Sequence, residues 1–189
     1  NQKNCSKLMI CLYQNEVVKK ELIFRGGTAL NKLFFKPAAR YSEDLDFVQK
    51  NNKPVGDTFS AIRKALDPWL GTPKRKFSNM SAKLVYKYEN IDGTTSKVKI
   101  EINTIDHFQI FPIIEKEHSV DSEWFSGKAT LQTYQLEELI ASKIKAMYQR
   151  RKGRDLFDLW YVLNRGLIDT EKTLKIFKEY NKLCKANIT

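Results

Sequence analysis

Two glycines near the start of the chain have the setting of a phosphate-binding turn. Gly26 and Gly27 follow the apolar residues 22–24, which predict a short strand, and precede residues 28–35, which predict a helix. A glycine pair lets the backbone approach a ligand closely, and the free N–H groups at the start of a helix favour an anion such as phosphate. Thr28 is placed to cap that helix. The spacing therefore predicts that residues 26–28 hold a phosphate group.

Two aspartates follow at the spacing of a metal site. Asp44 and Asp46 alternate with Leu45 and Phe47, and residues two apart in a strand lie on the same face. Adjacent carboxylates repel each other unless a cation neutralises them, and carboxylate oxygens suit Mg²⁺. A phosphate-binding turn beside a Mg²⁺-binding strand is the arrangement that phosphoryl or nucleotidyl transfer needs. The alternative is purely structural: a glycine turn that leads into a helix, with surface aspartates at a strand end.

A third carboxylate lies in a predicted β-hairpin. Residues 83–89 and 96–103 alternate as strands do, and Asp92 and Gly93 between them form a hairpin turn signal. In the second strand Glu101 lies on the polar face, opposite the isoleucines and valine. Taken alone, Glu101 would be an ordinary exposed strand residue.

Residues 135–152 predict an amphipathic helix that carries a lysine on its apolar face. Helical spacing puts Lys143 on the same side as Leu136 and Ile140, and Lys145 on the opposite side. A buried ammonium needs a partner, because burying it unpaired costs several kcal/mol. That partner would be a carboxylate or a triphosphate. The alternative is a lysine whose stem packs while its ammonium reaches solvent.

A second helix is predicted after Gly153, with Asp155 and Asp158 one turn apart. Apolar residues cover nearly every direction around this helix, which is typical of a buried helix. Its carboxylates would then need cationic partners, and Lys143 and Arg150 are candidates. The alternative is an ion pair within the helix surface.

Taken together, these motifs resemble the AbiEii/AbiGii-type nucleotidyltransferase toxins, a branch of the DNA polymerase β-like superfamily. The resemblance rests on three blocks, at residues 26–30, 40–47 and 143–159, and it spans roughly residues 20–165. It implies an α/β (α+β) fold with a polymerase β-like nucleotidyltransferase core and a mixed sheet. We expect that core in residues 1–130, followed in residues 131–189 by a helical segment that completes the active site.

The resemblance also implies a reaction and a set of site residues. The reaction is Mg²⁺-dependent transfer of a nucleoside monophosphate from an NTP, with release of pyrophosphate. The residues expected to bind or support the triphosphate are Gly26, Gly27, Thr28, Arg40 and Ser42. The residues expected to bind the metal ions are Asp44, Asp46 and Glu101, and Glu101 could also help to deprotonate the attacking hydroxyl. Lys143 would neutralise charge on the phosphates. Of the two helical aspartates we favour Asp158 for the site and Asp155 for organising the helix and its arginines.

The charge of the chain indicates a polyanionic partner. The 189 residues carry a formal net charge of +11, which suits nucleic acid before an anionic membrane. Lys74, Arg75 and Lys76 lie in a segment, residues 72–81, that predicts a basic loop, and Arg151 and Lys152 lie near the helix break. These residues are candidate nucleic-acid contacts, although a solvated loop would look the same. Family resemblance points to an RNA acceptor, such as a tRNA 3′ end, with a protein hydroxyl as the alternative, and to a cognate antitoxin.

Other functional classes compete with this interpretation or are disfavoured by composition. A degenerate fold could use the positive charge to bind nucleic acid or protein without catalysis, and a kinase-like phosphotransferase could use the same metal site. No apolar run approaches the roughly 20 residues of a membrane span. The three cysteines form no CxxC pair and there are two histidines, so a zinc site is disfavoured and a reduced, cytoplasmic protein is expected.

Overall fold

The computed structural model describes residues 2–89, 93–150 and 153–183. Asp92, Arg151, Lys152 and the side chain of Arg150 lie outside this description. The helices are α1 (Gln2–Tyr13), α2 (Glu16–Glu21), α3 (Gly26–Ala29, continued by a π-helical turn Leu30–Phe34), α4 (Gly56–Leu70), α5 (Leu136–Arg150), α6 (Gly153–Asn164) and α7 (Thr170–Leu183). The strands are β1 (Leu22–Arg25), β2 (Leu45–Gln49), β3 (Lys74–Phe77), β4 (Ser81–Glu89), β5 (Thr95–Asn103), β6 (Ile114–Val120) and β7 (Gly127–Thr133).

The strands form one mixed sheet in the order β3-β4-β5-β2-β1-β7-β6. The β2–β5 and β1–β7 pairs are parallel, and the remaining pairs are antiparallel. The predicted α/β class with a mixed sheet is therefore confirmed. The predicted hairpin is present as β4–β5, and β5 lies beside β2, which carries the second sequence motif.

One face of the sheet builds the core. Leu45 and Phe47 of β2 and Ile100 and Ile102 of β5 are essentially unexposed, and each such side chain contributes about 1.5–3 kcal/mol when it is fully buried. Helices α1 and α4 cover this face. The alternate residues of the same strands therefore project to the other face, where Asp46 and Glu101 lie opposite each other.

Two predicted elements differ from the structure. Residues 74–77, expected to be a basic loop, form the edge strand β3, which pairs with β4. Charged residues suit an edge strand because they discourage pairing with another chain. Helix α6 was expected to be buried all round, yet Leu156, Trp160 and Leu163 are half exposed. They recur at four- and three-residue steps and form one uncovered side of the helix.

The junction between the sheet and the C-terminal helices lies just after β7. The domain boundary expected at residue 130 falls within this strand, which pairs with β1 and ends at Thr133 before α5 begins at Leu136. The division into two domains therefore stays a prediction. None of the described helices is long and apolar enough to cross a bilayer.

Candidate active site

A cavity of about 300 Å³ opens between the polar face of the sheet and the C-terminal helices. Most of the residues singled out in the sequence line it: Gly26, Gly27, Arg40, Ser42, Asp44, Asp46, Glu101, Lys143 and Asp155. Thr28 and Asp158 are not on its wall. Three separated sequence blocks thus meet at one place.

The three carboxylates come together because β2 and β5 run side by side. Asp46 lies directly opposite Glu101 in the parallel register, and Asp44 precedes the first residue of β2 on the same side. Burial raises the pKa of Asp46, opposed in part by the charge of Lys99. Burial acts in the same direction on Glu101, but hydrogen bonds from Lys83 and Ser81 and the charge of Lys99 lower its pKa overall.

Lysines from the sheet form ion pairs with two of these carboxylates, Asp44 and Glu101. The Nζ atom of Lys99 lies 3.1 Å from Oδ2 of Asp44 and 3.3 Å from Oε2 of Glu101. The Nζ atom of Lys83 lies 2.9 Å from Oε1 of Glu101. Sequence reasoning gave neither lysine a role, although both lie on the same strand face as Glu101.

The donor set can be compared with the needs of a metal ion. Three carboxylates, without a thiolate or imidazole, are the hard oxygen ligands that Mg²⁺ prefers. In the arrangement described, no group of three or more His, Cys, Asp or Glu side chains among residues 2–89, 93–150 and 153–183 is placed to hold a metal ion. The chemistry of the donors fits Mg²⁺, and two of the three carboxylates, those of Asp44 and Glu101, form ion pairs with lysine ammonium groups.

The two glycines are required by close approaches within the site. Gly26 has a left-handed backbone, with φ of +79°, and a Cβ there would collide with the carboxylate of Asp46. A Cβ on Gly27 would collide with the guanidinium of Arg40. The glycine pair therefore lets the first turn of α3 lie against the carboxylate strand.

Replacing Gly26 with alanine should destabilise the protein more than the same change at Gly93. Gly93 has nearly the same φ, +78°, but open space around its Cβ position. Both variants pay roughly 1–2 kcal/mol for a left-handed non-glycine residue, and only Gly26→Ala adds overpacking, typically about 1–3 kcal/mol. Denaturant unfolding of the two variants measures the difference. Equal losses would mean that the Asp46 contact is not as tight as described.

Thr28 does not cap the helix, which corrects the sequence prediction. Helix α3 begins at Gly26, Arg25 occupies the cap position, and no side chain caps it. Thr28 instead lies inside the helix, fully buried. Its Oγ1 donates a hydrogen bond to the carbonyl of Asp44 at 2.5 Å and lies 2.8 Å from Oγ of Ser42. Thr28 and Ser42 therefore fix the entry into β2.

A buried asparagine that the sequence did not single out ties the first motif to the second. Asn31 donates from Nδ2 to the carbonyl of Gly27 at 2.9 Å. Its Oδ1 accepts from the backbone N–H groups of Ala39 at 3.1 Å and Arg40 at 3.0 Å. Its only signal in the sequence is a polar residue within a largely apolar helix. It holds the loop before β2 against the glycine turn.

A buried network joins the C-terminal helices to this loop. The Nζ atom of Lys143 lies 2.9 Å from Oδ1 of Asp155 and 3.2 Å from Oδ2 of Asp158. Arg40 donates from both Nε and Nη2 to Asp158, each at 2.7 Å. Lys143, Asp155 and Asp158 are almost unexposed. The inward phase of Lys143 and its pairing with a carboxylate are as predicted.

Two details of this region differ from the prediction. Asp155 lies on the cavity wall, whereas Asp158 accepts hydrogen bonds from Arg40, so the positions of the two aspartates are the reverse of those expected. Which of them acts in the reaction stays a prediction. Lys145, expected on the far side of α5, also lines the cavity. Residues on more than one side of α5 therefore line the cavity.

Comparison with known proteins identifies the same family that the sequence motifs resemble. The family model described as "Nucleotidyl transferase AbiEii toxin, Type IV TA system" matches residues 10–187. A comparison with curated proteins gives no match.

Solved structures of similar fold include three proteins of distant sequence. The MenT4 nucleotidyltransferase toxin of Mycobacterium tuberculosis H37Rv superposes with a TM-score of 0.67 at 18% identity, over 92% of this chain and 62% of that one. JHP933 of Helicobacter pylori gives 0.61 at 20%, over 95% and 74%. An antigenic nucleotidyltransferase-like protein of Paracoccidioides brasiliensis gives 0.56 at 14%, over 95% and 88%. At these identities the likeness concerns the fold.

Proposed function

The chain belongs to the AbiEii family of nucleotidyltransferase toxins, and we propose that it transfers a nucleoside monophosphate from an NTP to RNA with the help of Mg²⁺. The observation that carries the proposal is the meeting, in one cavity, of the Gly26–Gly27 turn with Asp44, Asp46 and Glu101. The acceptor hydroxyl would bond to the α-phosphorus as the bond to the β-phosphate breaks and pyrophosphate leaves. The net charge of +11 supports a polyanionic acceptor.

Asp44, Asp46 and Glu101 would hold Mg²⁺. When bound, the metal supplies positive charge to the phosphate oxygens and helps to orient the substrates. Hydrogen bonds from Lys83 and Ser81 and the charge of Lys99 lower the pKa of Glu101, which makes its carboxylate a weaker base and suits a metal ligand better than a general base. Lys99 and Lys83 would have to exchange their carboxylate partners for phosphate oxygens of the bound substrate.

The remaining site residues would handle the triphosphate. Gly26 and Gly27 line the cavity and would offer their backbone N–H groups, and Lys143 would contribute an ammonium from α5. Arg40 and Ser42 lie beside them, with Arg40 fixed in place by Asp158. Thr28, held beneath the cavity, would act by positioning Asp44. We propose that these residues determine the affinity for the NTP and that the acceptor binds elsewhere.

Labelled nucleotides test this function directly. The protein is incubated with total RNA, Mg²⁺ and each NTP, labelled in one series at the α-phosphate and in another at the γ-phosphate. RNA and protein are then separated. We expect α-label on RNA, and none when a chelator is present. Label on protein would overturn the RNA acceptor, and transfer of γ-label would identify a kinase-like phosphotransferase.

A non-catalytic binding module is the second candidate. It is favoured by one observation, that Lys99 and Lys83 form ion pairs with Asp44 and Glu101. A binder would retain RNA on a filter yet incorporate no label from any NTP. The family itself is that of toxin–antitoxin systems, which implies an antitoxin partner. We place the reaction in the cytoplasm, where NTPs and RNA are both present.

A further inference from the structure

One face of the β3–β4–β5 region carries a concentration of lysines. Neighbouring residues in a sheet point to the same face when they lie opposite each other or two apart along a strand. By this rule the polar face, which also carries Glu101, presents a set of six that we call the lysine face: Lys74, Lys76, Lys83, Lys87, Lys97 and Lys99. Arg75 and Phe77 point to the opposite face, where Phe77 contacts Phe59 of α4.

The strand register connects the lysine face to the cavity. Lys76 lies opposite Lys83, Lys83 opposite Glu101, and Glu101 opposite Asp46. With strands about 4.8 Å apart, this row runs about 14 Å from the sheet edge to the carboxylates. The lysine face therefore begins at the open edge of the sheet and ends at the reacting centre.

The arrangement is unfavourable for the fold by itself. Lys76 faces Lys83, and Lys87 faces Lys97, directly across neighbouring strands. Like charges at such positions destabilise a sheet. Acidic residues of these three strands on the same face are confined to Glu89 and Glu101. The repulsion points to a polyanion that lies across the strands.

The outer lysines are available for such a partner. Lys74, Lys76, Lys87 and Lys97 are all exposed. Within the described part of the chain they make no side-chain hydrogen bond or ion pair. Lys83 and Lys99, by contrast, already pair with the carboxylates of the site. The four unpaired lysines thus lie between the sheet edge and the cavity and do not line the cavity itself.

We propose that the lysine face binds the phosphate backbone of a single-stranded nucleic acid and guides its terminal hydroxyl into the cavity. This inference rests on the proposed function for the identity of the reacting end. A flexible single strand can cross the strands and enter a cavity of about 300 Å³, which a membrane surface cannot do. Backbone contacts of this kind are tolerant of sequence and strongly salt-dependent.

A pair of matched variants tests the surface. Lys74→Gln with Lys76→Gln removes two charges from the lysine face. Arg75→Gln with Lys64→Gln removes two charges from the opposite side, since Arg75 lies between the two lysines on β3 and Lys64 is an exposed residue of α4. Both pairs change net charge equally and leave the cavity wall untouched. The difference between them therefore reports the face and not the total charge.

The measurement is fluorescence anisotropy with a labelled single-stranded RNA oligonucleotide at KCl concentrations between about 50 and 200 mM. The slope of log K against log salt is negative. Losing two phosphate contacts should reduce its magnitude by about 1.4 in the Lys74/Lys76 variant. The Arg75/Lys64 variant should keep the wild-type slope. The KM for NTP should be unchanged in both.

Several outcomes would overturn the proposal. Equal slopes in the two variants would mean that charge alone attracts the strand. If the Lys74/Lys76 variant lost affinity for an acidic peptide but bound RNA as the wild type does, the surface would belong to a protein partner. Because the binding assay needs no turnover, equal slopes in the two variants of a protein that still labels RNA would overturn the surface alone. Intact face-dependent binding without labelling would overturn the proposed function alone.

Discussion

Replacing Asp46 with asparagine should abolish nucleotide transfer and leave the folded protein at least as stable as the wild type. Asp46 lies opposite Glu101 and against Gly26, where the proposed metal ion needs charged oxygens. Loss of a ligand should reduce activity at least about 100-fold, the upper end of the effect of removing a supporting residue. The equivalent change at Asp44 should reduce activity similarly.

The stability expectation follows from the raised pKa of Asp46. Because burial raises this pKa above its ordinary value of 3.8, the folded state resists ionisation more than the unfolded state does. The contribution of Asp46 to the free energy of unfolding therefore falls as pH rises from 3.8 through the folded-state pKa, and it stays unfavourable above that range. Asparagine cannot ionise, so the variant loses this penalty at neutral pH.

Thermal unfolding without metal, at pH 7 and near pH 4, measures this effect beside the activity assay. The advantage of Asp46→Asn should shrink at the lower pH. Glu43→Gln is the matched control, since Glu43 precedes Asp44 but does not line the cavity, and it should keep its activity. Full activity in Asp46→Asn would remove this residue from the metal site, and a large loss of stability would mean that its ionised form is favourable in the fold.

The polar face of the site could be predicted because the alternation of inward and outward side chains depends only on neighbouring residues in a strand. Leu45 and Phe47 are buried and Asp46 is on the other face, as their alternation indicated. The pairing of β2 with β5 is not local and was not predicted; the motif resemblance indicated only that Glu101 would join the two aspartates. Without that resemblance, nothing in the spacing would distinguish Glu101 from other charged residues of its hairpin.

Contacts between distant segments account for most of what the sequence did not predict. Arg40 and Asp158 are separated by 118 positions, and no local pattern links them, so the sequence could not show which aspartate contacts the arginine and which lines the cavity. The hairpin β6–β7 was not predicted, because β6 has exposed and half-buried residues in alternation and lacks a buried apolar face. For α6, apolar residues on every side predicted burial, but composition does not show which side has a neighbour.

Replacing Lys143 with methionine should reduce both stability and activity, and a second substitution can separate the two effects. Lys143 is the cation between two buried aspartates. Breaking a buried ion pair on one side typically costs about 3–5 kcal/mol, and in a protein of this size each kcal/mol lowers Tm by about 2–4 °C. Activity would fall in any case, because a partly unfolded sample transfers less nucleotide. The single variant therefore cannot show whether Lys143 acts on phosphate.

The double variant Lys143→Met with Asp155→Asn resolves this ambiguity. It removes one positive and one negative charge, while Asp158 keeps both hydrogen bonds from Arg40. Stability should recover toward that of the wild type, and Asp155→Asn alone provides the control for losing the carboxylate. If Lys143 neutralises the triphosphate, activity per folded molecule should stay about 10²–10³-fold low. Recovery of activity together with Tm would make Lys143 a positioning residue. The positive charge that neutralises the phosphates would then have to come from Arg40 or Lys145.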